Sequence, residues 1–187
     1  SREEHTYPGS VVMIIWEGSR PLLVELQALL DENQYGQPRR ITVGVDQQRL
    51  AMLLAVLNRH AGVQIGGQDV FVNVVGGVKV SETSADLAIV LAVLSSLRGK
   101  ALPHDMIAFG EVGLSGEVRP INSGLERIQE AAKHGFKHAV VPKANAPKQA
   151  VKGIKVHAIS HVNGLLNLVQ ELQHDNTNSR EYAEATE

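Results

Sequence analysis

The chain has 187 residues, a formal net charge of −2 and no cysteine. That length suffices for one domain with its own core. The missing thiols exclude disulfides, thiolate metal sites and cysteine nucleophiles, and fit a cytoplasmic location. The near-neutral balance gives no overall pull toward nucleic acid, so such binding needs a local basic patch. Aromatic residues make up only 4% of the chain, so the core must be built from Val, Leu, Ile and Ala. No apolar run approaches the roughly 18 residues of a spanning helix, and the polar start SREEHTYPGS carries no signal-peptide pattern. No membrane partner is expected. A polar start running straight into a strong strand reads as an excised fragment, with residues 1–8 as residual linker.

Residues 11–16 (VVMIIW) form a β-rich run, and residues 17–21 (EGSRP) a turn. Residues 22–30 resume with Val24, Leu26 and Ala28 alternating against Leu23, Glu25 and Gln27, a hairpin with one buried face. A turn-rich loop (DENQYGQP) leads to a third strand, RRITVGV. Asp46 is a candidate N-cap. Leu50, Leu53, Leu54 and Leu57 follow at helical spacing, and Gly62 is a stop signal. Residues 69–75 (DVFVNVV) alternate as a strand that Gly76 and Gly77 break. Residues 85–97 are apolar nearly all round, as in a helix buried on most sides. Strands are expected over 106–112 and 117–119, around Gly113-Leu114-Ser115-Gly116. A helix over 123–134 turns Leu125, Ile128, Ala131 and Ala132 inward, with Gly135 after it. Strands over 138–141 and 155–159 and a helix over 162–172 complete the order. This predicts one α/β domain over residues 9–172 with a mixed (α+β) sheet. Residues 173–187 are polar and aperiodic, and read as a disordered tail.

Ser84 immediately precedes the apolar helix, where backbone N–H groups can support an oxyanion. Downstream stands Gly110-Glu111-Val112-Gly113-Leu114-Ser115-Gly116-Glu117-Val118-Arg119-Pro120. The two segments resemble the two halves of the Ser–Lys site of Lon-type proteases. That resemblance implies a Lon proteolytic-domain fold with a ribosomal-protein-type βαβ core. A Ser–Lys dyad needs a neutral lysine within reach of the serine oxygen. The Lon family continues Gly-Gly-Leu-Lys; this chain continues Ser123-Gly124-Leu125-Glu126, with one extra residue before it. Glu126 therefore takes the lysine position, and Lys133 lies about two helical turns further on. The serine segment reads Glu82-Thr83-Ser84-Ala85-Asp86 where the family has Gly-Pro-Ser-Ala-Gly. Asp86 adds a negative charge near any developing oxyanion. Ser84 and Glu126 are read as vestigial positions and no catalytic residue is expected. The plain alternative for Ser84 is a helix-capping serine.

The departures from Lon resemble one branch of that superfamily, the C-terminal Lon-like domain of the bacterial RadA (Sms) family. The match rests on residues 9–13 (GSVVM), 16–21 (WEGSRP), 38–40 (PRR), 43–46 (VGVD) with Arg49-Leu50-Ala51, 69–77 (DVFVNVVGG), 82–87 and 110–120. It implies a DNA-repair protein with a zinc finger and a RecA-like ATPase core, neither of which lies in this chain. ATP, magnesium and zinc would belong to those parts, since no GxxxxGK[ST] loop occurs here and no cofactor is expected. The family processes branched recombination intermediates as an ATP-driven hexameric ring, alongside a RecA-type recombinase. The domain would then mediate homo-oligomerisation and DNA contact. Arg39, Arg40, Arg49, Arg59, Lys79, Arg119 and Arg127 are the candidate phosphate contacts. Scarce aromatics favour backbone contact over base stacking. A residual Ser84-dependent peptidase and a purely structural ring-former are the alternatives. No metal site is expected, because His157 and His161, and likewise His134 and His138, are separated by a strand end or a glycine.

Overall fold

The computed structural model describes residues 6–185. The first five residues of the expected linker and the last two of the expected tail lie outside the described residues. Strands β1 (Ser10–Glu17) and β2 (Arg20–Glu32) form the hairpin. β3 (Arg40–Val43) leads into α1 (Gln47–His60), capped by the Asp46 carboxylate, which accepts from Gln48 N–H. β4 (Gln68–Val74) ends in a 3-10 turn at Val75–Gly77, and a second such turn at Thr83–Ala85 opens α2 (Asp86–Arg98). Then come β5 (Met106–Ala108), the short ribbon β6 (Glu111–Val112) and β7 (Val118–Arg119), α3 (Gly124–Lys133), β8 (His138–Pro142), β9 (Lys155–Ile159) and α4 (Leu165–Ala185).

Seven strands form one mixed sheet in the order β3-β4-β2-β1-β5-β8-β9. β2 is antiparallel to both neighbours and the other pairings are parallel. The α/β expectation holds. α1, α2 and α4 share a core with one sheet face. α3 packs with the other, through Ile128 and Ala131 against Val12, Ile14, Ile107, Phe109, Ala139 and Val141. β1, β5 and β8 are thus covered on both faces, and their sequences are correspondingly continuous apolar runs. β2 alternates because its outer face is open there, leaving Leu29 exposed.

Three expectations are corrected. The strand expected over 106–112 is split at Gly110, whose φ of +148° and close approach to Pro142 both require glycine. A Cβ there would lie 2.9 Å from the proline Cγ. Leu125, expected inward, is exposed, because α3 turns Arg127, Ile128 and Ala131 to the core instead. The tail expected to lack structure continues α4 to Ala185. Leu165, Val169 and Leu172 anchor the first half of that helix, and no glycine or proline interrupts the sequence through Ala185.

Candidate functional site

The carboxyl ends of β1 and β5 meet the start of α2, and Ser84 lies at that junction. Gly110 N–H donates to the Ser84 carbonyl at 2.9 Å, and Leu87 N–H donates to Gly110 O at 3.0 Å. The Ser84 side chain is buried, and its Oγ donates to Glu82 Oε2 at 2.8 Å. Glu82 Oε1 accepts from Trp16 N–H at 3.2 Å. The group facing this pair from α3 is Arg127, 4% exposed, 3.7 Å from Glu82 Oε2. Its guanidinium also donates to Ile14 O at 2.5 Å and Asn122 O at 3.2 Å, and lies 5.9 Å from the centre of the Trp16 ring.

Glu126, read from the sequence as the vestigial lysine position, does not reach this pair. Glu126 is exposed, and the residue after it points inward. Ser123 enters the helix with φ +61°, and one more position on a helix turns a side chain by about 100°. Burial pulls the Arg127 pKa down and Glu82 opposes the shift, but a guanidinium keeps its proton inside proteins. It cannot take a proton from serine. The Glu82 oxygens are already shared among Trp16, Ser84 and Arg127.

A second pair, buried at Asp86 and half-buried at Arg49, closes the other side of the α2 start. Asp86 is 1% exposed. Its carboxylate takes two bonds from the Arg49 guanidinium, the one from Nε at 2.9 Å, and a third from Val112 N–H at 3.0 Å. Arg49 donates as well to Val112 O. Burial pushes the Asp86 carboxyl up, against Arg49 and the Val112 N–H. The hydrogen bond to Asp86 raises Arg49 in turn.

The candidate phosphate contacts are not one patch. Arg49 and Arg127 are committed to these internal pairs. Arg39 and Arg40 are adjacent at the start of edge strand β3. Asp69 accepts from Arg39 N–H at 2.7 Å and from its guanidinium at 3.2 Å. The backbone N–H first, then Asn33 and that guanidinium, hold the Asp69 carboxyl below its usual range. The Arg39 side chain is still 63% exposed and lies over Phe71. Arg40 is half-buried and donates to Gln68 O. Arg59, Lys79 and Arg119 are exposed on separate elements, Arg119 paired with Glu117 at 3.0 Å. Glu82 and Trp16, both half-buried and not singled out from the sequence, complete the surroundings of Ser84. Charged residues bordering the apolar runs were the available signal. Among the described residues no three His, Cys, Asp or Glu are grouped to hold a metal, and no helix is long and apolar enough to cross a membrane.

A family model described as "Subunit ChlI of Mg-chelatase" matches residues 36–145, more than half of the chain. The chain belongs to the ChlI family. The matched span of this ChlI-family chain runs from the loop before β3 through Ser84 and Arg127 to the turn just after β8. The chain also shows strong homology to proteins named DNA repair protein RadA. That of Pseudomonas aeruginosa is 60% identical over 91% of this chain and 38% of its own length. That of Escherichia coli is 58% identical over 92% of this chain and 37% of its own. The Aquifex aeolicus protein is 46% identical over 86% and 36%. The ChlI-family chain thus spans little more than a third of the length of these curated relatives.

Ser84→Ala should cost about 1.5–3 kcal/mol, the worth of one hydrogen bond to a charged acceptor. Urea unfolding would read this. A larger loss would mean the hydroxyl carries more than the Glu82 contact.

Proposed function

We propose that this chain is a non-catalytic, Lon-like scaffold domain of a RadA-type DNA-repair protein. It contributes to a ring assembly, hexameric by the family resemblance, and contacts DNA through backbone phosphates. The observation that carries the non-catalytic part is Arg127, a permanent cation paired with the carboxylate that holds Ser84. Identities of 58–60% over nearly the whole chain favour a repair role over the chelatase named by the family model. Branch migration, ATP hydrolysis and work alongside a RecA-type recombinase would belong to the longer protein.

Within the domain, Arg39 and Arg40 are the foremost DNA-contact residues, with Arg59, Lys79 and Arg119 as secondary ones. Fluorescence anisotropy with a labelled duplex across a salt series tests this. Replacing both Arg39 and Arg40 by Glu should weaken binding and flatten the log–log salt slope by about 1–2 units, near one per lost phosphate contact. Unchanged binding would remove the pair from the interface. Light scattering tests the assembly: ring-sized particles support it, and a monomer at high concentration speaks against assembly by this domain alone. Assembly without DNA binding would favour the purely structural alternative.

A further inference from the structure

Strands β8 and β9 bring together two histidines that lie 19 positions apart. His138 Nδ1 and His157 Nε2 are 3.0 Å apart, with the rings tilted by 32°. Both side chains are half-buried, and the parallel register sets Val140 opposite His157 and His138 opposite Lys155. The pair sits on neighbouring strands of a seven-stranded sheet, so its spacing is set by the backbone ladder.

At present the two nitrogens share one hydrogen, one donating and the other accepting. The same spacing suits two lone pairs directed at one ion. Two imidazole nitrogens each about 2.05 Å from one metal stand about 2.9 Å apart at a right angle and about 3.3 Å apart at the tetrahedral angle. We propose that His138 and His157 form a two-ligand site for a borderline divalent transition metal such as Ni²⁺, Cu²⁺ or Zn²⁺. Imidazole suits these ions, whereas Mg²⁺ and Ca²⁺ take oxygen ligands. Binding needs no net loss of protons. Each neutral ring keeps one N–H on its outer nitrogen and turns its inner lone pair to the ion, which for one ring is a change of tautomer. Water completes the coordination. The ion ties edge strand β9 to β8, and because it binds the folded chain it stabilises the sheet by mass action.

The test is calorimetric titration of the 187-residue chain with nickel(II) chloride, alongside thermal melts with nickel and with magnesium. One ion per chain is expected, with a rise in Tm for nickel and none for magnesium. His138→Ala and His157→Ala should each abolish both signals. His157→Gln, which keeps a polar side chain of similar size, separates loss of a ligand from loss of structure. It should fold, as read by circular dichroism, and still not bind. His60→Ala is the control and should bind as wild type does. Absence of binding in wild type, or binding that survives both His138→Ala and His157→Gln, overturns the site.

Discussion

Arg127→Met is expected to destabilise the domain by about 3–5 kcal/mol: the buried Ile14 carbonyl loses its donor, at about 1–3 kcal/mol, and the half-buried Glu82 loses its cation. For a domain of this size that is a fall in Tm of roughly 6–20 °C, at about 2–4 °C per kcal/mol. Arg127 joins three parts of the fold. It donates to Ile14 O on β1, to Asn122 O before α3, and it faces Glu82 ahead of α2. Methionine fills much of the volume but leaves the Ile14 carbonyl and the Glu82 carboxylate uncompensated. Adding Glu82→Gln should recover part of the loss, since the second substitution removes the unbalanced charge. The double-mutant cycle then measures the coupling. Thermal and urea melts of the three variants decide it. A cost under about 1 kcal/mol, typical of an exposed pair, would mean that the guanidinium is not the tie described. DNA binding of folded Arg127→Met should equal that of wild type, because the residue is buried.

Arg49→Met has the second large effect, and it carries a pH signature. It strands Asp86, 1% exposed, with only the Val112 N–H as a partner. Burial already pushes this carboxyl up, and losing Arg49 removes the main opposing influence. A carboxyl whose folded pKa lies above its unfolded value favours the folded state most when protonated. The stability is therefore complete below the unfolded pKa, about 4 for aspartate, and is lost as pH rises through the folded pKa. The variant should be about 3 kcal/mol or more less stable than wild type at pH 7, with the gap narrowing as pH falls toward 4. Urea unfolding at several pH values reads this. A gap that widens toward acid would show that Asp86 is stabilised as the anion by other groups.

The fold was largely legible because its signals are local. The Asp46 cap, the leucines of α1, the all-apolar α2 and the alternation of β2 each follow from spacing alone. The joint at Gly110 was not legible. Its break comes from the Ser84 and Leu87 backbone and from Pro142, three segments that meet only in space. The helical end of α4 is not legible from apolar content, which is low there; the absence of any glycine or proline is the signal that fits it.

At the site, the sequence names segments that meet in space, and the side chains that face each other there come from the fold. Ser84 and the 110–120 segment do converge on the start of α2. One position along α3 is about 100° of rotation, and Arg127 is buried where Glu126 is exposed. The arginines show the same limit. A charge in a sequence reads as surface, and only the fold reveals that Arg49 and Arg127 are spent on Asp86 and Glu82. His138 and His157 were weighed against nearer histidines in the chain, whereas strand pairing chose the partner.

The central claim is that Ser84 is a structural hydrogen-bond donor held by Glu82 and Arg127. Its most direct test is labelling of the folded chain with a fluorophosphonate probe for activated serines, followed by mass spectrometry of the Ser84 peptide. The account predicts no adduct at Ser84, with wild type indistinguishable from Ser84→Ala. An adduct on Ser84 that is lost in Ser84→Ala, accompanied by casein hydrolysis lost in the same variant, would contradict it and restore the peptidase reading.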